Sequence, residues 1–291
     1  MIKIIFKEGQ GLGNQLWLFA VAKSISEKLE QELEIIDFKK FKGRDFLNLD
    51  YKEYKDNYLI NNKSLLKNAE IFNERVFYDN ELKYIVSSYD ERVLSINKNT
   101  LLDGIFQSEK YFFGNLEKLK RYIKLDKKVL DSIKLNSKYC ILNIRGGEYK
   151  RHKNLILPKS YWTNAINNIK KINSNLIFKI VTDDEKYAEK LLPNIEILRG
   201  NIETDFYNIY NAKYIIVSNS SFSYFPINLG STPQIVIAPL YWSRFGNKYN
   251  RWSSPSNFYK DWLWQDDSGK ILSHKKVLKT LIDTRSEFKQ Y

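Results

Sequence analysis

Residues 139–153 read YCILNIRGGEYKRHK. The apolar run 139–144 has the length of a buried strand, and it ends in Arg145, two glycines, Glu148 and then Lys150, Arg151, His152 and Lys153. A strand of this kind delivers a guanidinium to the carboxyl end of a sheet, where α/β proteins bind ligands. Gly146 and Gly147 let the backbone turn sharply there and come close to a ligand. An arginine fork among further cations suits a diphosphate, because guanidinium grips phosphate oxygens two at a time. The same residues also read as a strand followed by a solvated basic loop, and a motif this short leaves both open.

Outward from this stretch, the second half is regular. Apolar runs at 139–144, 176–181, 195–198, 213–217 and 234–237 read as strands. Between them lie a helical stripe of Tyr161, Ala165, Ile166, Ile169 and Ile172 and a short helix at 186–192. Strand alternating with helix predicts a parallel, doubly wound sheet, so the residues that follow each strand matter. They are Thr182-Asp183-Asp184 and Ser218-Asn219-Ser220-Ser221-Phe222-Ser223. The second turn offers hydroxyls and free N–H groups at a helix start, as a phosphate seat or as a plain N-cap. Further on, Trp242, Trp252, Trp262 and Trp264 read either as an acceptor surface or as packing on the last sheet edge. Packing is the preferred reading, because large aromatics are mostly buried. Residues 277–288 predict a terminal amphipathic helix that folds back on the first domain.

The first half starts with a strand at 2–6, then Gly9-Gln10-Gly11-Leu12-Gly13-Asn14-Gln15 and an apolar helix from 16 to about 29. Strand, glycine-rich turn and helix suit close approach to a phosphate, and equally a tight turn with no ligand. The loop has neither the third glycine of a dinucleotide fingerprint nor the Gly-Lys-Ser/Thr ending of a P-loop. Ile35-Ile36-Asp37 ends a second strand. The polar stretch 39–100 predicts short helices and loops covering a small sheet. A short strand from Leu101 follows, then a helix opened by Gln107-Ser108 and a charged helix over 116–135. The domain boundaries expected are 1–130, 131–270 and a terminal helix at 271–291.

Composition narrows the class. The 291 residues are 43% hydrophobic and 15% aromatic, which is globular, and 47 Lys+Arg against 34 Asp+Glu leave a net charge of +13. That balance favours anionic partners: a phosphorylated small molecule, a membrane surface or nucleic acid. A polyanion-binding protein is the rival from another class, but the basic residues are dispersed along the chain and nucleic acid is not expected as a partner. The single Cys140 and the two histidines, His152 and His274, exclude a disulfide framework and a Cys/His-rich metal cluster. No apolar run approaches a membrane span and none resembles a signal peptide, so the expectation is a cytoplasmic protein, peripheral at the inner face of the membrane.

Five segments now fall in one order: Gly11-Leu-Gly-Asn-Gln15, Phe106-Gln-Ser-Glu-Lys-Tyr-Phe112, Ile144-Arg145 with Gly147-Glu148-Tyr149, Val181-Thr-Asp-Asp184 and Ser218-Asn-Ser-Ser-Phe-Ser223. Together they resemble the bacterial α-1,2-fucosyltransferases, glycosyltransferase family 11, whose segments read GLGNQ, WQSEKYF, HIRRGDY and SNSSFSWW. The resemblance implies the GT-B architecture: two Rossmann-like α/β domains with a cleft between them, the donor held by the second. It implies an inverting transferase, with no metal or other cofactor, moving fucose from GDP-fucose to a glycan or lipid-linked oligosaccharide of a capsule or lipopolysaccharide. Donor-binding residues carried over are Gly13, Asn14, Asn143, Arg145, Asp183, Ser220, Ser221 and Phe222, and acceptor-binding ones Gln107 and Glu109. This sequence departs from the motif at Asn143 (His), Gly146 (Arg), Glu148 (Asp) and Tyr224-Phe225 (Trp-Trp). Lys150, Arg151 and Lys153 are candidates to replace the lost cation. The sugar is therefore fucose or another GDP-linked 6-deoxysugar or heptose.

For catalysis, the resemblance implies that Arg145 and the amides near Ser220–Phe222 stabilise the departing diphosphate. No Asp-x-Asp pair of the kind that holds a catalytic cation accompanies them. Glu8, at the end of the first strand beside the glycine loop, is the candidate base, with Glu109 and Glu148 as rivals; a solvated turn residue is the other reading of Glu8.

Overall fold

The computed structural model describes residues 1–52, 69–79, 84–87, 89–126, 138–230, 234–247 and 251–284. The chain separates into two compact units, Met1–Leu130 and Asp131–Tyr291. Each carries its own parallel sheet, and two such α/β units are the components of the GT-B architecture.

In the first unit, strand β1 (Ile2–Ile5) leads through the glycine turn into helix α1 (Leu12–Lys28), followed by β2 (Leu33–Ile36) and β3 (Leu47–Leu49). Then come β4 (Glu70–Asn73), β5 (Val76–Asp79), β6 (Tyr84–Ser87) and β7 (Thr100–Asp103), with α2 (Lys118–Tyr122) and β8 (Ile123–Leu125) closing the unit. The main sheet runs β2-β1-β7-β4, all parallel. Helix α1 buries Leu16, Trp17, Phe19, Ala20 and Ile25, so nearly its whole circumference is core.

The structure refines three expectations in this unit. Among its described residues the polar stretch 39–100 carries the strands β3 to β6 besides short 3₁₀ turns, and β4 joins the main sheet as its edge. Short, half-exposed strands such as β4 carry no long apolar run for a sequence to announce. The helix expected over 116–135 is one short turn at α2 that gives way to β8, which pairs antiparallel with β3; residues 127–135 lie outside the described residues. The helix opened by Ser108 is a single 3₁₀ turn, Glu109–Phe112.

The second unit is a seven-stranded sheet. Its strands are β9 (Tyr139–Ile144), β10 (Ile177–Thr182), β11 (Glu196–Ile197), β12 (Tyr214–Val217), β13 (Ile235–Pro239), β14 (Leu263–Gln265) and β15 (Ile271–Leu272). Helices α3 (Lys159–Ile172), α4 (Glu185–Leu191), α5 (Ile202–Asn211) and α6 (Tyr224–Leu229) connect them, and α7 (His274–Thr284) follows. The order is β11-β10-β9-β12-β13-β14-β15, parallel except for the last pair. From β9 the chain builds outward through β10 and β11, then returns to the other side of β9 with β12. The order therefore reverses between β9 and β12, and the crevice outside their carboxyl ends is where open α/β sheets hold ligands.

Strand β9 is central and buried on both faces, which is why it reads as a continuous apolar run. Cys140 within it is fully buried, and burial pushes its thiol well above the ordinary range. The tryptophans pack as preferred: Trp242, Trp252, Trp262 and Trp264 are all buried, with Trp262 stacked on Trp264 at 6.0 Å. The first turns of α7 are anchored in the second unit, with Val277 buried and a His274 ring nitrogen 3.2 Å from the Phe258 carbonyl. Residues 285–288 of the expected terminal helix lie outside the described residues.

Candidate active site

The crevice of the second unit is built from three strand ends. Arg145 follows β9, Asp183 follows β10, and the turn 218–223 follows β12. Asp183 grips two neighbours at once: one carboxylate oxygen lies 2.9 Å from Arg145 Nη1, and the other accepts the Gly146 N–H at 2.8 Å. A Cβ on Gly147 would stand 2.3 Å from that carboxylate, so this position takes glycine for close approach. The Arg145 guanidinium also lies over the Tyr149 ring at 5.5 Å, with Glu148 at 3.7 Å. Tyr149 in turn donates its hydroxyl to the Asn219 carbonyl at 3.0 Å.

The β9 and β12 ends are joined a second time. Asn143, which stands in the place of the motif histidine and was expected to touch the donor, is 2% exposed and accepts the Ser223 hydroxyl at 2.7 Å. Asn219 donates its amide to the carbonyls of Leu155 and Trp242. Ser220 caps the short turn after β12, accepting the Phe222 N–H at 3.3 Å, so the plain capping reading holds for its side chain. Phe222 meets Phe206 of α5 edge-on at 6.2 Å, and Ser221 is half-buried beside it.

Three polar atoms in this cluster are buried with no hydrogen-bond partner among the described residues: Arg145 Nε, Ser218 Oγ and Asn219 Oδ1. Buried polar groups are almost always paired, so these three atoms leave the bonding at the ends of β9 and β12 incomplete among the described residues.

Of the cations proposed to replace the second arginine, Lys150 is committed elsewhere: it forms an ion pair with Asp184. Asp184 also caps α4, accepting the Tyr187 N–H at 3.1 Å, and the Lys150 bond holds its carboxyl below the usual range. Arg151 and Lys153 are exposed. A Cβ at Gly146 would meet Tyr187 Cδ1 at 2.7 Å and Asp184 Cβ at 2.8 Å, so the space of the absent arginine is occupied by these side chains.

Sequence reasoning missed Asp205 in the first turn of α5. Burial pushes its carboxyl up to about 7, with the Asp183 charge adding to the effect and Arg145 opposing it. A carboxylate so perturbed beside Arg145 and Asp183 is a marker of a functional site. In the sequence it reads only as an acid at a helix start, which gives no such signal.

The first unit supplies a separate cluster at the carboxyl ends of β1, β7 and β4. Asn14 in the first turn of α1 accepts the Gln107 amide at 2.8 Å, which joins the first two motif segments directly. Gly13 is buried beside it, Lys7 pairs with Asp103 at 2.9 Å, and Gln15 clamps the backbone at Lys40 and Lys42. Glu109 is half-buried in its 3₁₀ turn, and Glu8 is exposed in the turn between β1 and α1. Among the described residues no group of three or more His, Cys, Asp or Glu side chains is placed to hold a metal ion, and no helix is long and apolar enough to cross a membrane.

Comparison with known proteins adds the following. Residues 39–266 match the model of the family described as Glycosyl transferase family 11. An alpha-1,2-colitosyltransferase of Escherichia coli is 24% identical over 266 residues, which cover 82% of this chain and 92% of that protein. Among solved structures, the fucosyltransferase NodZ from Bradyrhizobium is similar with 14% identity and a TM-score of 0.46, over 78% of this chain and 92% of that one. The heptosyltransferase WaaC of E. coli with ADP is similar with 12% identity and a TM-score of 0.45, over 98% and 100% of the two chains.

Proposed function

The chain belongs to Glycosyl transferase family 11 and is therefore a glycosyltransferase, and we propose that it moves a sugar from a GDP-linked donor to a glycan hydroxyl, with inversion and without a metal. The observation that carries the donor reading is the Arg145 guanidinium, fixed by Asp183 at the sheet switch point with its Nε unpaired and the Ser218 hydroxyl orphaned nearby. Such a cluster suits a leaving diphosphate, on which negative charge accumulates as the glycosidic bond breaks.

In this reading the acceptor hydroxyl attacks the anomeric carbon from the face opposite the diphosphate. The bond to the donor oxygen breaks with its electron pair, which stays on GDP. Arg145 and the amides of residues 220 and 221 stabilise that charge, the dominant contribution where no cation assists. The acceptor proton passes to a carboxylate, for which Glu8 is proposed, while Gln107 and Glu109 hold the acceptor. Fucose is the sugar favoured by the motif segments. The colitosyltransferase relative supports a second reading, in which the sugar is another GDP-linked deoxysugar. The +13 charge supports a lipid-linked or polysaccharide acceptor met at the anionic inner face of the cytoplasmic membrane.

The test is a thermal-shift panel of GDP, UDP, ADP and CMP, with and without chelator, followed by turnover of GDP-sugars. GDP should raise the melting temperature most, equally with chelator present, by simple linkage. A larger shift with UDP or CMP would overturn the GDP assignment, and loss of the GDP shift on chelation would overturn metal independence.

A further inference from the structure

At the carboxyl end of β4, Glu74 is 5% exposed, yet its carboxylate takes hydrogen bonds from Ile105, Phe106 and Tyr111. One oxygen accepts the N–H groups of Ile105 and Phe106 at 2.8 and 2.7 Å, and the other accepts the Tyr111 hydroxyl at 2.9 Å. Tyr111 is fully buried, and its hydroxyl oxygen accepts the Asp90 N–H at 3.0 Å. Its backbone carbonyl takes the Ser24 hydroxyl of α1 at 2.8 Å. Asp90 is itself held by Arg92.

The segment that Glu74 grips has an unusual shape. Phe106 sits at φ +53°, in the left-handed region that a bulky side chain rarely enters without support. Gly104 just before it leaves no room for a side chain, because a Cβ there would lie 2.5 Å from Glu74 Cβ. The next residue is Gln107, whose amide reaches Asn14. A carboxylate accepting both N–H groups of the bend satisfies the donors that a left-handed residue turns away from the strand ladder. It also fixes the direction in which residue 107 leaves.

We propose that Glu74 is the positioning residue of the Asn14–Gln107 pair: by holding the bend at 104–106 it presents Gln107 to the acceptor sugar and sets the affinity for that sugar. This rests on the acceptor role proposed above for Gln107. It also accounts for the segment 106–112 as one device. Phe106 makes the bend, Gln107 is presented by it, Ser108 caps the following turn, and Tyr111 returns to the carboxylate that holds the bend.

The test is a double-mutant cycle in the full chain. Glu74→Gln retains size and an acceptor oxygen but leaves the Tyr111 hydroxyl without its carboxylate. It should raise the acceptor KM roughly ten-fold, with donor KM changed less than about two-fold, and the double variant with Gln107→Ala should be no worse than Gln107→Ala alone. Amide exchange is the second arm, read on Glu74→Leu, or on Glu74→Ala if that variant does not fold, because both remove the oxygen that accepts the two N–H groups of the bend. The N–H groups of Ile105 and Phe106 should lose at least about ten-fold in protection, whatever sugar the enzyme takes. Unchanged exchange at 105 and 106 overturns the proposal, as does additivity of the two KM effects. Should the parent chain turn over no GDP-sugar, the functional assignment falls and the exchange arm alone decides whether Glu74 holds the bend.

Discussion

Asp183 holds Arg145 from the neighbouring strand, at 2.9 Å through one carboxylate oxygen, while its other oxygen fixes the Gly146 amide at the turn that follows. The guanidinium is thus oriented before any ligand arrives, and the rotamer entropy of a long side chain has already been spent in folding. Arg145→Lys keeps the charge and loses the fork, so it should lower kcat on a GDP-sugar by about 10²-fold, since an aimed donor to a leaving oxyanion is worth that much. Initial-rate kinetics on a chain of unchanged melting temperature checks this; turnover within a few-fold of the parent would remove Arg145 from the role.

Restoring the motif arginine should fail sterically. Gly146→Arg drives its Cβ into Tyr187 and Asp184, an overpacking that costs about 1–3 kcal/mol, and should lower the melting temperature without raising turnover. Tyr187→Ala should recover much of that loss in the double variant. Melting curves of the two single variants and the double decide it, and a fully stable Gly146→Arg would show that the socket opens freely.

Asp205 makes stability depend on pH in a direction opposite to that of a salt-bridged acid. Its carboxyl stands near 7 in the folded chain against 3.8 as the ordinary value, so between these limits the folded state holds the extra proton. Stability should fall as pH rises through that window, by on the order of 2–4 kcal/mol from this group. Asp205→Asn should flatten the fall and melt higher above neutrality while losing activity. Thermal melts across the window, parent against variant, read it; parallel slopes would count against the site.

Glu8→Gln should depress kcat by about 10²- to 10⁴-fold while the donor KM holds, as expected for loss of a base that touches only the acceptor proton. An unaltered kcat would return Glu8 to the solvated turn in which it sits and pass the role to Glu109 or Glu148.

The second unit was legible because its inner strands β9 and β12 are buried on both faces. Residues 139–144 and 214–217 could only be apolar runs, and the motif residues Arg145, Asp183 and Ser220 had to follow them. The first unit was legible as far as Ile36 and again at the strand from Leu101, which is β7. Strand β4 begins with exposed Glu70 and Ile71, which carry neither alternation nor an apolar run, and its membership of the sheet is set by pairing with β7. Glu74 and Asp205 were invisible for a related reason. Each is an acid whose meaning comes from burial and from partners distant in sequence: Glu74 bonds Ile105, Phe106 and Tyr111, and Asp205 feels Asp183 and Arg145. The fate of Lys150 was equally hidden, since a cation beside a phosphate site and a cation tied to a helix cap are spelled the same way.

The burial of Cys140 near the start of β9 makes this chain its own reporter. The sequence contains no other thiol, and this one is sealed in the central strand, so an alkylating reagent reaches it only when the sheet of the second unit comes apart. The rate of mass gain in native buffer is then a direct clock of sheet opening, and ligands that grip the β9–β12 crevice should slow it. A cysteine introduced anywhere on the exposed surface would meanwhile label at once and alone, giving a clean handle for a single dye or spin probe without any residue having to be removed first.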